Sequence, residues 1–267
     1  MSASAEVLAA DAFWQLLTVL FAPFWGSFLA LFVRRWPAGV PVVTGRSRCE
    51  ACGRTLAAGD LVPLFSWLRL KGRCRHCGAA IGLESPVFEL AMLILALVVV
   101  PAAEPSGVRA FLWLVAGGLL LAVGVIDARH LTIPTAAVAV VGLLGLADGL
   151  IARTVLSSFP DPSIPDRMLG VFVGYGTMAL LRHAYRRLRG REGLGGGDPL
   201  LMAALGAWLG WQTLPMALLL AAVTGLAFVL ARGLLHRRWP RGSDMLAFGP
   251  FLIAGGLGAL AWRLVGG

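Results

Sequence analysis

Charge is scarce in this sequence: Asp, Glu, Lys and Arg make up 14% of it against 58% hydrophobic residues, and the mean hydropathy is +0.81. A water-soluble domain of this length cannot clothe itself with so few polar groups, so the chain reads as a polytopic membrane protein. Histidine is scarcer still. There are four, none inside an apolar run, which excludes an H-E-x-x-H metalloprotease and leaves Ser27 of the Gly26-Ser27 pair without a base at its depth. No cysteine stands alone as a nucleophile, because all four come in closely spaced pairs. No G-x-G-x-x-G follows a strand, no internal repeat of the transporter kind is found, and nothing basic precedes the first apolar run. That run follows Glu6 and Asp11 and is closed by Arg34 and Arg35, so it is expected to be a first span rather than a cleaved signal.

What is present in quantity is uncharged sequence. Charge-free runs cover Ala12–Val33, Leu90–Ala103, Ala110–Ile126, Leu131–Ala147, Met168–Leu181, Pro199–Ala231 and Met245–Trp262. A membrane helix needs roughly 20 mostly apolar residues. Pro199–Ala231 is too long for one and is expected to break near Gly210–Pro215. The expected fold is therefore all-α, with about eight transmembrane helices. Three regions are expected: a first helix over 1–33, a soluble segment over 34–85 and a membrane domain over 86–267.

The cations are unevenly placed. If the loops bearing Arg34–Arg75, Arg129, Arg182–Arg191 and Arg232–Arg241 face the cytoplasm, all but four of the 23 Lys and Arg lie inside; the exceptions are Arg109, Arg153, Arg167 and Arg263. The N-terminus is then outside. The net charge of +9 reports this topology and contact with anionic lipid; it is too scattered for a nucleic-acid surface.

The soluble segment carries Cys49 and Cys52 in SRCEACG, and Cys74 and Cys77 in GRCRHCG, the pairs 21 residues apart. This spacing suits a four-thiolate zinc site, with Gly53 and Gly78 allowing a tight turn after each pair. Two disulfides are the rival, disfavoured on a reducing side of the membrane. A metal would also staple a segment too short to bury a core of its own. His76 is expected to be exposed, and the zinc to be structural. The strip Pro63, Phe65, Trp67, Leu68, Arg69, Lys71 and Arg73 suits either the headgroup layer or the segment's own core.

Among the acids, two stand out. Asp127 closes the run Ala110–Ile126, and Asp198 follows Gly195, Gly196 and Gly197 at the mouth of another. Carboxylates at the edge of hydrocarbon are costly and read as functional. The topology puts both at one depth, near the cytoplasmic surface. Glu84, Glu89 and Asp244 are accounted for as helix-start acids, while Asp148, Asp161 and Asp166 have no partner that the pattern reveals. Gly170-x-x-x-Gly174 and Gly206-x-x-x-Gly210 present small residues for helix packing without naming their contacts.

Two neighbouring carboxylates share a proton: the ionised one takes a proton from water while its protonated partner donates to a carbonyl, which is aspartyl-protease chemistry. Glycines at 195–197 let backbone approach an extended substrate. The rival from another class is a non-catalytic scaffold with a zinc module, whose acids only cap helices.

The sequence resembles the bacterial prepilin peptidases, presenilin-like membrane aspartyl proteases of type IV pilus and type II secretion systems. The resemblance rests on WGSFLALFVRRWP, SRCEACG…GDLVPLFSWLRLKGRCRHCGAAI, SPVFELAM, IDARHLTIP, GGGDPLLMAALGAWLGW and FGPFLIAGG, in that order. It implies that Asp127 and Asp198 are the catalytic pair, with Gly195, Gly196, Gly197 and Pro134 in the active-site loops. It further implies prepilin or pseudopilin substrates, a bacterial inner-membrane location, and a second activity. That activity is N-methylation of the new amino terminus from S-adenosylmethionine, at residues the sequence does not name. Departures from the family pattern are Leu200 where a lysine is usual, Ala30 for an asparagine, Glu50 for a proline and Thr135 for an acid. The first of these implies a lost positive charge beside the acids. The oligomeric state is not legible.

Overall fold

The computed structural model describes residues 2–103, 106–153, 161–190, 195–236 and 246–266. Asp244, expected to begin the last helix, lies outside them. The chain divides into two compact units, 1–118 and 119–267.

The first unit contains α1 (Ser2–Arg35), a short α2 (Phe65–Arg69), α3 (Glu84–Ala102) and the first half of α4 (Gly107–His130). Helix α1 ends two residues before Pro37, which cannot continue it. It packs along α3 so closely that a methyl group on Gly26 would lie 2.5 Å from the Phe88 carbonyl oxygen. The segment between them is organised by two matching turns. Cys49 N–H bonds Arg54 O (2.9 Å) and Gly53 N–H bonds Cys49 O (2.9 Å); in the second, Cys74 N–H bonds Ala79 O (2.8 Å) and Gly78 N–H bonds Cys74 O (3.0 Å). Gly53 and Gly78 have φ of 69° and 70°, the left-handed conformation that a side chain would disfavour.

The second unit holds the rest of α4, then α5 (Thr135–Ala152), α6 (Ile164–Arg189), α7 (Asp198–Leu209), α8 (Leu214–His236) and α9 (Gly249–Gly266). The break in Pro199–Ala231 falls at 210–213, as expected. Helix α5 starts at Thr135, later than the run suggested, because the residue before Pro134 is held out of the α conformation. Helix α6 continues through its arginines to a left-handed Gly190 cap, φ 68°. The two small-residue motifs meet each other: a methyl on either Gly170 or Gly206 would run into the other's carbonyl, so α6 and α7 touch backbone to backbone. The indole N–H of Trp208 stitches α7 to Val141 O on α5 (2.8 Å).

At the end of this unit away from Asp198, the acids without an evident partner acquire one. Arg167, 0% exposed, donates to Asp148 Oδ2 (3.0 Å), Gly145 O (2.7 Å), Ala207 O (3.2 Å) and Pro162 O (3.2 Å), with Asp161 at 3.7 Å. Asp166 accepts from Ser163, Trp211 Nε1 and Gln212. The arginine counted as an outer-loop charge is thus a buried clamp on α5, α6 and α7.

Five helices among the described residues are long and apolar enough to cross a membrane: Ala9–Arg35, Glu84–Ala102, Gly107–His130, Thr135–Ala152 and Leu214–Leu235. This is a multi-pass, all-helical architecture, short of the eight spans expected. Helix α7 has only 12 residues, and the arginines in the last turns of α6 lower its hydropathy.

Candidate active site

Asp127 lies in the last turn of α4, and Asp198 is the first residue of α7. Both are buried, 5% and 2% exposed. Two loops bring their surroundings together: 131–134, which follows α4, and 195–197, which precedes α7. They touch at Ile133 and Gly197, where an added methyl would sit 2.5 Å from Ile133 Cβ. Pro134, at the N-cap of α5, ends the first loop in an extended conformation.

Each acid is held by one oxygen. Asp198 Oδ2 accepts from Gly195 N–H at 2.8 Å, and Asp127 Oδ2 accepts from Gly249 N–H at 3.0 Å. Neither Oδ1 accepts a hydrogen bond among the described residues. The carboxylates are close enough for the charge of Asp127 to bear on Asp198.

Two contributors were not legible as site residues. Gly249 begins α9, and a side chain there would meet Asp127 Oδ2 at 2.6 Å; its only signal was the Gly-Pro within FGPFLIAGG. Arg182, read as a topology marker, lies on α6 with Nη1 3.8 Å from where a Gly196 methyl would be, and its charge acts on Asp198. Leu200 is exposed, 38%.

In the first unit the four cysteines converge, all Sγ atoms within 4.8 Å of one another and Cys49 to Cys77 at 3.8 Å. Four thiolates about 2.3 Å from a tetrahedral ion would stand about 3.8 Å apart, so this set fits a metal. None of the four is in a disulfide. The backbone N–H groups of Cys52 and Ala51 bring the Cys49 thiol down to about 7. Cys77, against the backbone N–H of Ala79, is pushed up to about 11 by burial and by the other three thiols, as in a set whose members compete for charge. His76 is exposed and near Arg54 (3.1 Å), apart from the thiol set. Glu89 is not a first-turn acid. It sits further along α3, 5% exposed, accepting from Leu64 N–H (2.7 Å) and the Ser85 hydroxyl (2.8 Å).

Residues 20–102 match the bacterial peptidase A24 N-terminal domain, and residues 114–230 match the type IV leader peptidase family. Among similar proteins is one from Aeromonas salmonicida (strain A449), 38% identical over 81% of this chain and 71% of its own. Another, from Burkholderia pseudomallei (strain K96243), is 38% identical over 84% and 69%; a third, from Dickeya chrysanthemi, is 34% identical over 95% and 94%. All three are named prepilin leader peptidase/N-methyltransferase. No solved structure matches the chain. With both halves matched in sequence order and relatives of this identity over most of their length, the chain belongs to the type IV leader peptidase family.

Proposed function

We propose that this protein is a membrane prepilin leader peptidase and N-methyltransferase in which Asp127 and Asp198 form the proteolytic pair. The observation that carries the reading is the arrangement of the two acids: each is fixed through Oδ2 by a glycine N–H, neither Oδ1 accepts a hydrogen bond among the described residues, and they are in electrostatic reach. One ionised carboxylate takes a proton from water as the water oxygen adds to the scissile carbonyl carbon. The other, protonated, gives its proton to the carbonyl oxygen. Collapse of the tetrahedral intermediate breaks the C–N bond, and the leaving amine takes a proton from the pair. Gly195, Gly196, Gly197 and the loop ending at Pro134 border this site and receive the extended leader segment. The substrate is a prepilin or pseudopilin with a short basic leader, a glycine before the cut and an apolar helix after it.

The distribution of arginines supports an inner-membrane orientation with the N-terminus outside and both acids near the cytoplasmic face. On this reading α6, α7 and α9 also lie within the bilayer, giving eight membrane helices, and residues 86–267 form the peptidase domain after the insert at 34–85. Cys49, Cys52, Cys74 and Cys77 hold zinc, which braces that insert. S-adenosylmethionine, when bound, supplies an electrophilic methyl group to the amine freed by cleavage.

The bond from Gly249 to Asp127 also supports a second role, capping of α9. The two roles separate experimentally, because asparagine keeps an acceptor oxygen but cannot exchange a proton. Purified wild type, Asp127→Asn and Asp198→Asn are incubated with a cognate prepilin and read by mass. Loss of cleavage in both variants, with metal content unchanged, is expected; cleavage surviving in both assigns the acids to capping alone.

A further inference from the structure

Helix α2 lies in the four-cysteine segment, within the strip whose sequence suits either the headgroup layer or the segment's own core. The structure divides that strip. Trp67 turns inward: its ring stands 2.9 Å from where a methyl on Gly72 would be, and its indole Nε1 is buried. Ser66 is buried beside it and donates to Val62 O (2.7 Å). Phe65 and Leu68 turn outward, 61% and 67% exposed. Three apart, they share one side of the helix, and the turn before it adds an exposed Val62.

This face is held at the edge of the membrane. Leu64 N–H, at the start of α2, donates to Glu89 Oε2 across 2.7 Å. Glu89 is the sixth residue of α3, a helix long and apolar enough to cross a membrane. It lies about 7.5 Å along the axis from the helix start. The bond therefore pins α2 beside the first two turns of a membrane helix. The backbone enforces the presentation as well. Leu64 and Lys71, flanking α2, adopt φ of 61° and 51°, left-handed values that residues with side chains hold where their surroundings impose them.

Arg69 closes the helix, and Lys71 and Arg73 follow it. All three are exposed, and neither Arg69 nor Lys71 has an ion pair among the described residues. Cations beside an exposed apolar face suit the headgroup layer of an anionic leaflet. A second copy of the chain, seated face to face, would set the three cations against their own duplicates. A basic prepilin leader would meet like charge in the same way.

We infer that α2 is a membrane-docking element: Phe65 and Leu68 enter the headgroup layer beside α3, and Arg69, Lys71 and Arg73 hold anionic lipid phosphates around them. The four-cysteine segment then rests on the bilayer at a height set by the bond from Leu64 to Glu89. This docking needs only that α3 crosses the membrane; it does not depend on the proteolytic pair.

The test uses the full-length protein in nanodiscs of phosphatidylethanolamine with phosphatidylglycerol as the minor lipid. The photocrosslinking residue p-benzoylphenylalanine is placed singly at position 65, 68 or 94; Ile94, exposed near the middle of α3, is the lipid-facing reference. Variants that elute as wild type does are irradiated, and adducts are identified by mass. Lipid adducts are expected at all three positions, with phosphatidylglycerol enriched about twofold or more over its share of the bilayer at 65 and 68. Arg69→Gln combined with Lys71→Gln is expected to abolish that enrichment. Lipid adducts at 94 alone overturn the docking. Adducts of 65 and 68 with a second copy of the chain, or with added prepilin, overturn it too and name the true occupant. Lipid adducts at the bulk composition with both cations present overturn their part in it.

Discussion

The backbone N–H of Gly249 donates to Asp127 Oδ2 across 3.0 Å, joining residues 122 positions apart in the chain. It places the first turn of α9, with its positive dipole end, against an acid at the end of α4. The approach is possible only because residue 249 has no side chain, since a methyl there would stand 2.6 Å from that oxygen.

Gly249→Ala is therefore expected to push the Asp127 carboxylate out of position while leaving the fold assembled. A displacement of about an ångström in a catalytic group costs about 100-fold in rate. Prepilin cleavage by the purified variant, compared with its thermal unfolding in detergent, checks this. Full activity would show that Asp127 tolerates movement.

The three glycines before Asp198 are not equivalent. At Gly197 an added methyl meets Ile133 Cβ at 2.5 Å, whereas at Gly196 the nearest atom is a flexible arginine nitrogen 3.8 Å away. Gly197→Ala is expected to lose most cleavage, about 100-fold by the same positional argument, and Gly196→Ala to lose little. Cleavage rates of the two single variants, measured side by side, decide the ranking.

Arg167→Met removes the cation that the buried Asp148 pairs with at 3.0 Å. Removing one partner of a buried ion pair destabilises by about 3–5 kcal/mol, and replacing the acid too restores much of the loss. Denaturation of Arg167→Met and of Arg167→Met with Asp148→Leu is expected to show the single variant as the weaker. Equal stability of wild type and Arg167→Met would remove the clamp from the account.

Stripping the metal with a strong chelator is expected to loosen the segment between α1 and α3, because four clustered thiols supply little core of their own. Thiols must lose their protons to bind a metal, so release should begin as pH falls and the cysteines reprotonate, and not as it rises. Metal analysis of dialysed samples across pH, with proteolysis of the segment as a second readout, tests the sign. The pairing reading predicts one ion per chain and its loss on Cys74→Ser.

How much of this was visible without coordinates differs from element to element. Asp127 and Asp198 stood out as acids because charge inside apolar sequence is rare, and the convergence of the cysteine pairs was legible because their spacing matches that of a four-thiolate set. The break after Leu209 was legible from Gly210 and Pro215. The number of crossing helices was not, because a 12-residue α7 and an arginine-bearing α6 do not resemble spans by length and composition.

The sequence by itself determined a multi-pass helical protein with a four-cysteine segment and two acids at the ends of apolar runs, because those properties are local. Each is written in composition, spacing or hydrophobic run length. Only the tertiary structure decided what surrounds them: Gly249 against Asp127, Arg182 beside Asp198 and Arg167 among three helices. These relationships join segments far apart in the chain through packing of backbone on backbone and charge on charge, and no local pattern encodes which distant helix will supply the partner.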